Sequence, residues 1–159
     1  MKLIDIKGKN VFLSGPMTGL EHYNVEAFAK AHAQLKELGA KHVYNPGISY
    51  LTSEKKESHE YWMRRCVHEM TYGYHDGAPY DLVVQLKGWS KSEGCRTEAQ
   101  VASACGIPCV TMKRVLKDAE TLKKNRAAMD ETAKGVMASI AKKHGLEFSP
   151  FPYDHVTEA

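Results

Sequence analysis

The sequence has no long apolar run, no closely paired cysteines and no marked excess of either charge. No stretch approaches the roughly 20 apolar residues that a membrane-spanning helix needs, so no membrane partner is expected. The opening residues, MKLIDIKGKN, are broken by charges before an apolar segment of signal-peptide length can form. The four cysteines are Cys66, Cys95, Cys105 and Cys109. None are spaced as C-x-x-C, which weighs against a zinc ribbon or a thioredoxin-like centre; no metal and no cofactor is expected. Without a secretion signal, reduced thiols in a cytoplasm are the expectation, with Cys105 and Cys109 as small buried residues. The net charge of +3 is too small to argue for a nucleic acid polymer as partner. Internal repeats and low-complexity segments are also lacking.

What remains is the composition of an ordinary globular domain. Of 159 residues, 43% are hydrophobic and 26% charged, enough for a single domain with a sizeable core. Its centre is the stretch from Asp81 to Ala104, DLVVQLKGWSKSEGCRTEAQVASA. Leu82 to Leu86 reads as a buried strand. Gly88 and Gly94 bracket a polar loop, and a helix follows through Ala99, Val101, Ala102 and Ala104. In open α/β folds, ligands bind at the carboxyl ends of strands, where such loops lie. Glu98 falls in what reads as the first turn of that helix, where the helix dipole favours an ionised carboxylate. A positioned carboxylate can act as a nucleophile toward an acetal-type carbon. The same residues also suit a plain connection, in which Ser92 or Thr97 caps the helix, Thr97 pairs with Gln100 as a capping box, and Glu98 only answers the dipole.

The flanking chain repeats the strand–loop–helix order. Asn10 to Ser14 is the first strand, and Gly15-Pro16-Met17-Thr18-Gly19 a turn-rich loop. A helix is predicted over Tyr23 to Leu38, with Asn24 as its cap and Gly39 as its stop. The loop could receive an anionic group at that helix terminus, yet it is neither a Walker loop nor GxGxxG. Lys41 to Asn45 is a short second strand, ended by Asn45-Pro46-Gly47. Residues 49 to 60 read as an exposed polar segment leading to a helix from His59 to Tyr72, capped by Ser58. His68-Glu69 lacks the second histidine of a zinc-protease motif, because Tyr72 stands in its place. After the central stretch, Cys109 to Met112 is the last strand. This order predicts an α/β fold, a flavodoxin-like or Rossmann-like parallel sheet sandwiched by helices.

Residues 114 to 144 form a long C-terminal helix in this reading. Val115, Ala119, Leu122, Met129, Ala133, Val136 and Ile140 follow alternating steps of four and three, with Arg126 interrupting. That spacing suits either packing on the same domain or a homo-oligomer contact. The tail from Phe148 to Tyr153 is proline-rich and aromatic, and is expected to dock. Residues 1–112 are thus taken as the α/β domain, and 113–159 as a helix and tail belonging to the same fold unit.

Several segments together resemble a known group: Phe12 to Gly19, Tyr44-Asn45-Pro46, Tyr80 to Val84, and Gly88 to Glu98. They are similar to phage and bacterial nucleoside 2-deoxyribosyltransferase-like proteins, including the DUF4406 group, over roughly residues 10 to 112. The resemblance implies that Glu98, within S/D-x-G-x-x-x-E, is the nucleophile at the sugar C1′. At the position of Ser92, nucleoside transferases tend to carry an Asp that contacts the sugar and the deoxynucleotide N-glycosidase branch a Ser that contacts the 5′-phosphate, so the resemblance implies a nucleoside 5′-monophosphate as ligand. The loop from Ser14 to Gly19 lacks the arginine often found there in that branch. Relatives place an Asp after a stretch similar to Trp62-Met63-Arg64-Arg65, where this chain has Cys66, and an insertion lies around Tyr72 to Pro79. Glu69 or Asp76 is the candidate replacement acid.

The expected function is therefore cleavage or transfer at the N-glycosidic bond of a (deoxy)nucleoside or its 5′-monophosphate in the cytoplasm, or the host cytoplasm for a phage protein. Glu98, with Glu69 or Asp76, would be catalytic. Ser14, Gly15, Met17, Thr18, Asn45, Trp89, Ser92 and Gly94 would bind substrate. The alternatives are a non-catalytic nucleotide-binding or host-interaction protein on the same scaffold, and a hydrolase of an NAD-like ribosyl bond.

Overall fold

Short runs rich in β-branched residues, each followed by an amphipathic stretch, build a parallel sheet. A computed structural model describes residues 2–53, 57–73 and 79–146. Its strands are β1 (Asn10–Ser14), β2 (His42–Tyr44), β3 (Leu82–Gln85) and β4 (Cys109–Thr111). They form a four-stranded sheet in the order β2-β1-β3-β4, with every neighbouring pair parallel. Phe12 lies opposite Tyr44 on one side and Val83 on the other. The helices are α1 (Val25–Glu37), α2 (Pro46–Leu51), α3 (His59–Tyr72), α4 (Glu93–Ala104) and α5 (Met112–Lys143).

The two-residue period of the strands sorts their side chains into two layers. Val11, Leu13 and Val84 pack with Phe28 and Leu35 of α1 and Val115 of α5. Phe12 and Val83 pack with Cys66 and Met70 of α3 and Ala102 of α4. Val11, Phe12 and Leu13 have no exposed surface at all, as expected of a strand covered on both faces. By the same alternation, Ser14 and Gln85, which are register partners, belong to the α3 and α4 face. The order of strands reverses direction between β1 and β3, and a crevice opens there at the strands' carboxyl ends.

The α/β parallel fold and the long C-terminal helix are as the sequence predicts, and α3 and its Ser58 cap match it residue for residue. Four local expectations change. First, α1 starts at Val25, after a 3-10 turn at Glu21–Asn24; Asn24 does not cap it but donates its amide to the Pro16 carbonyl at 3.0 Å. Second, Asn45-Pro46-Gly47 does not end in an open segment. Asn45 caps α2 by accepting from the Gly47 N–H at 2.9 Å, with Pro46 in the first turn; proline's fixed φ suits that position. Third, α4 begins at Glu93, so Gly94 is helical, and the cap is Ser92, whose Oγ accepts from the Cys95 N–H. Thr97 instead donates its hydroxyl to the Glu93 carbonyl. Fourth, Cys105 is exposed and Cys109 only half-buried.

The chain divides into two compact units, Met1–Ala119 and Glu120–Ala159. In the second, Met129, Val136, Met137 and Ile140 of α5 are exposed. The tail segment from Phe148 to Tyr153 lies outside the described residues. None of the described helices is long and apolar enough to cross a membrane.

Gly15 follows β1 and is closely packed by side chains from the core. A Cβ there would lie 3.0 Å from Leu86 Cβ, Leu86 Cδ1 and Phe28 Cζ. Gly15→Ala should therefore destabilise the protein by about 1–3 kcal/mol, the usual cost of overpacking a core; urea unfolding would show it as a lower midpoint with an unchanged slope.

Candidate functional site

Ser14 ends β1 and Glu98 lies on α4, 84 residues apart in sequence. Ser14 Oγ donates to Glu98 Oε2 at 2.6 Å, and both side chains are buried. The Cys66 thiol of α3 is buried close to the same carboxylate. On α4 the buried residues are Cys95, Glu98 and Ala102, a stripe spaced three and four apart that turns Glu98 inward.

Glu98 forms part of the wall of a cavity of about 300 Å3, at the lower end of the size range of small-molecule sites. The loop after β1 contributes Gly15, Met17 and Thr18; Tyr23 follows from the 3-10 turn, and Pro46 and Tyr50 from α2. Glu57, His59, Trp62, Met63 and Cys66 come from α3 and the residues before it, and Ser92, Gly94 and Cys95 from the start of α4. A broader groove adjoins it, sharing Thr18, His59, Ser92 and Gly94 and adding Lys87 and Lys91.

Burial sets the electrostatics. It pushes the Glu98 carboxyl from 4.5 up to about 7, against the opposing pull of the Ser14 hydrogen bond and the nearby Cys66 thiol. Burial likewise raises the Cys66 thiol, and the adjacent Glu98 carboxylate adds to the effect. Cys95 is raised mainly by burial, with the Ser92 hydroxyl opposing. The first-turn, dipole-ionised Glu98 expected from sequence is thus corrected twice. With α4 starting at Glu93, Glu98 lies in the second turn, where the dipole's influence has largely faded. Desolvation then outweighs what is left of it.

Among the residues singled out from sequence, Ser14, Gly15, Met17, Thr18, Ser92, Gly94 and Glu98 come together here, Ser14 through its bond to Glu98. Asn45 is buried and spends its side chain on capping α2, beside Pro46 of the wall. Trp89 sits in a 3-10 turn, Trp89–Lys91, and does not line the cavity. Glu69 does not line it either, and accepts the Tyr80 hydroxyl at 2.6 Å. Asp76 lies outside the described residues. The sequence reading missed Glu57, His59, Tyr23, Tyr50 and Trp62 in the wall, and Gln85 beside Ser14. Gln85 is 4% exposed and its Nε2 has no hydrogen-bond partner among the described residues. A lone amide ending an apolar strand was the signal for it. Among the described residues, no group of three or more His, Cys, Asp or Glu side chains is arranged to hold a metal.

A family model described as a domain of unknown function, DUF4406, matches residues 9–111. No curated protein and no solved structure matches the chain. The matched span runs from the residue before β1 through the end of β4 and holds Ser14, Cys66, Ser92 and Glu98. The chain belongs to the DUF4406 family.

Proposed function

We propose that this protein cleaves or transfers at the N-glycosidic bond of a deoxynucleoside or its 5′-monophosphate. The observation that carries this reading is a buried glutamate, Glu98, held at a cavity wall by a 2.6 Å hydrogen bond from Ser14. The ionised carboxylate attacks C1′ as the bond to the base nitrogen breaks, and the bonding pair leaves with the base. An acid protonates that nitrogen. Water or a second base then attacks C1′ and releases Glu98, in the manner of a retaining glycosidase. Glu57 is the other carboxylate among the described residues of the cavity wall, and it replaces Glu69 and Asp76 as the acid in this reading. Lys87 and Lys91 in the adjoining groove favour a ligand that carries phosphate.

A second reading, a nucleotide-binding protein without turnover, draws on Cys66. Where the resemblance assigns an Asp, this chain has a buried thiol beside Glu98. The two readings separate in one screen. Nucleosides and nucleoside 5′-monophosphates are incubated with the protein, with and without an acceptor base, and the free bases are quantified by chromatography. Release of base from at least one deoxynucleoside or monophosphate is expected. Binding across the panel with no base released would favour the second reading.

A further inference from the structure

Tyr23, Tyr50 and Trp62 come from separate elements and meet in the cavity wall. The ring centroids of Tyr23 and Tyr50 are 4.3 Å apart, and those of Tyr50 and Trp62 are 5.8 Å apart. The fold's core does not demand this chain of rings, since Tyr23 is 43% exposed. Its placement is costly all the same. His22, Tyr23 and Asn24 have φ of 45°, 51° and 61°, three successive non-glycine residues in the left-handed region. Asparagine and histidine tolerate that region better than most, but a bulky tyrosine does not. Backbone strain of this kind concentrates at functional sites. The Asn24 amide, bound to the Pro16 carbonyl, ties the segment down.

Trp62 is also held. The Arg65 guanidinium lies 5.7 Å from its ring centre, and Tyr61 meets it edge-on at 5.5 Å. Its Nε1 is shielded from solvent and has no hydrogen-bond partner among the described residues. Buried donors are almost always paired, so an orphan in a cavity wall calls for a partner.

We infer that Tyr23, Tyr50 and Trp62, packed against one another, form one wall of a slot on which the planar heteroaromatic ring of the ligand stacks, with Trp62 Nε1 donating to an acceptor atom on the ring. This deepens the reading of the cavity as a nucleoside or nucleotide site and rests on it, but it does not require turnover. The left-handed segment serves to present Tyr23 to that ring. The ligand class is a nucleobase-bearing molecule, because a sugar phosphate alone would leave the slot empty.

Calorimetric titration of the full chain tests this with five probes: dAMP, dCMP, dGMP, dTMP and 2-deoxyribose 5-phosphate. At least one nucleotide should bind about tenfold or more tightly than 2-deoxyribose 5-phosphate, the scale of base–aromatic stacking. Tyr23→Ala should remove most of that advantage and leave 2-deoxyribose 5-phosphate unaffected. Tyr23→Gly relieves the backbone strain, so it should fold at least as well as the wild type and lose the same advantage. Trp62→Phe keeps an aromatic face but no donor, and should weaken the nucleotides alone. Equal affinity for all five probes, binding of none, or nucleotide binding unchanged in both Tyr23 variants would overturn the slot. Tyr23-dependent binding without base release would uphold the slot and end the glycosidase reading. Base release unaffected by the Tyr23 and Trp62 substitutions would do the reverse.

Discussion

Replacing Glu98 by glutamine should lower turnover by about two orders of magnitude or more, the scale seen when a key electrostatic group is removed, with ligand binding retained. Gln keeps the side chain's size and still accepts from Ser14 Oγ, but it cannot form the sugar ester. It also removes the negative charge that opposes the positive charge developing at C1′. With the carboxyl raised to about 7 by burial, only about half of the free protein is poised to attack at neutral pH. The wild-type kcat/KM should therefore rise with pH and reach half its plateau near pH 7. A slow 2-fluoro sugar analogue should add one sugar mass to the wild-type peptide containing Glu98 and none to the Gln variant. Full activity in the Gln variant would end the mechanism.

The same substitution should stabilise the fold above neutral pH. Folding raises the Glu98 carboxyl above its ordinary value of 4.5. Between pH 4.5 and 7 the folded protein thus holds a proton that the unfolded chain has released. The contribution of this group is complete below pH 4.5 and is lost as pH rises through about 7. The loss amounts to about 3 kcal/mol at pH 8, taking about 1.4 kcal/mol for each tenfold change in proton affinity. Gln does not titrate, so denaturant unfolding at pH 8 should find Glu98→Gln the more stable by up to that amount. At pH 4.5 the two proteins should unfold alike. A Gln variant less stable at pH 8 would mean that the burial of Glu98 costs the fold little. Gains of this kind on disarming a site are familiar as the stability–activity trade-off.

Much of the architecture was legible because its signals are local. The β1 and β3 runs are apolar without interruption, as in strands covered on both faces, and Ser58 ahead of an amphipathic stretch marks the start of α3. The α2 helix was lost because Asn45-Pro46-Gly47 reads equally well as a turn, and only the tertiary packing of Pro46 and Gly47 decides. Glu98 was found as a residue but misjudged as a charge. Its ionisation depends on what α3 and β1 lay over it, and the sequence of α4 does not contain that. The Cys95, Glu98 and Ala102 stripe did hold a hint of its burial. Glu57 and His59 were hidden in a polar segment because charge there looks like solvated surface until the chain returns to form the wall.

The order β2-β1-β3-β4 also bears on how the protein is made. β1 leaves the ribosome ahead of both its partners, residues 42–44 on one edge and 82–85 on the other. After β2 docks, the second edge of β1 stays unpaired until β3 has emerged, and β3 in turn waits for β4 at 109–111. Parallel pairings of such long sequence separation form slowly, and an open strand edge is a template for wrong partners. The bond between Ser14 and Glu98 closes across 84 residues of chain. A nascent chain arrested before α4 therefore carries the aggregation hazard of the sheet without the reactive carboxylate, and Glu98 emerges before β4 is out to close the last open edge.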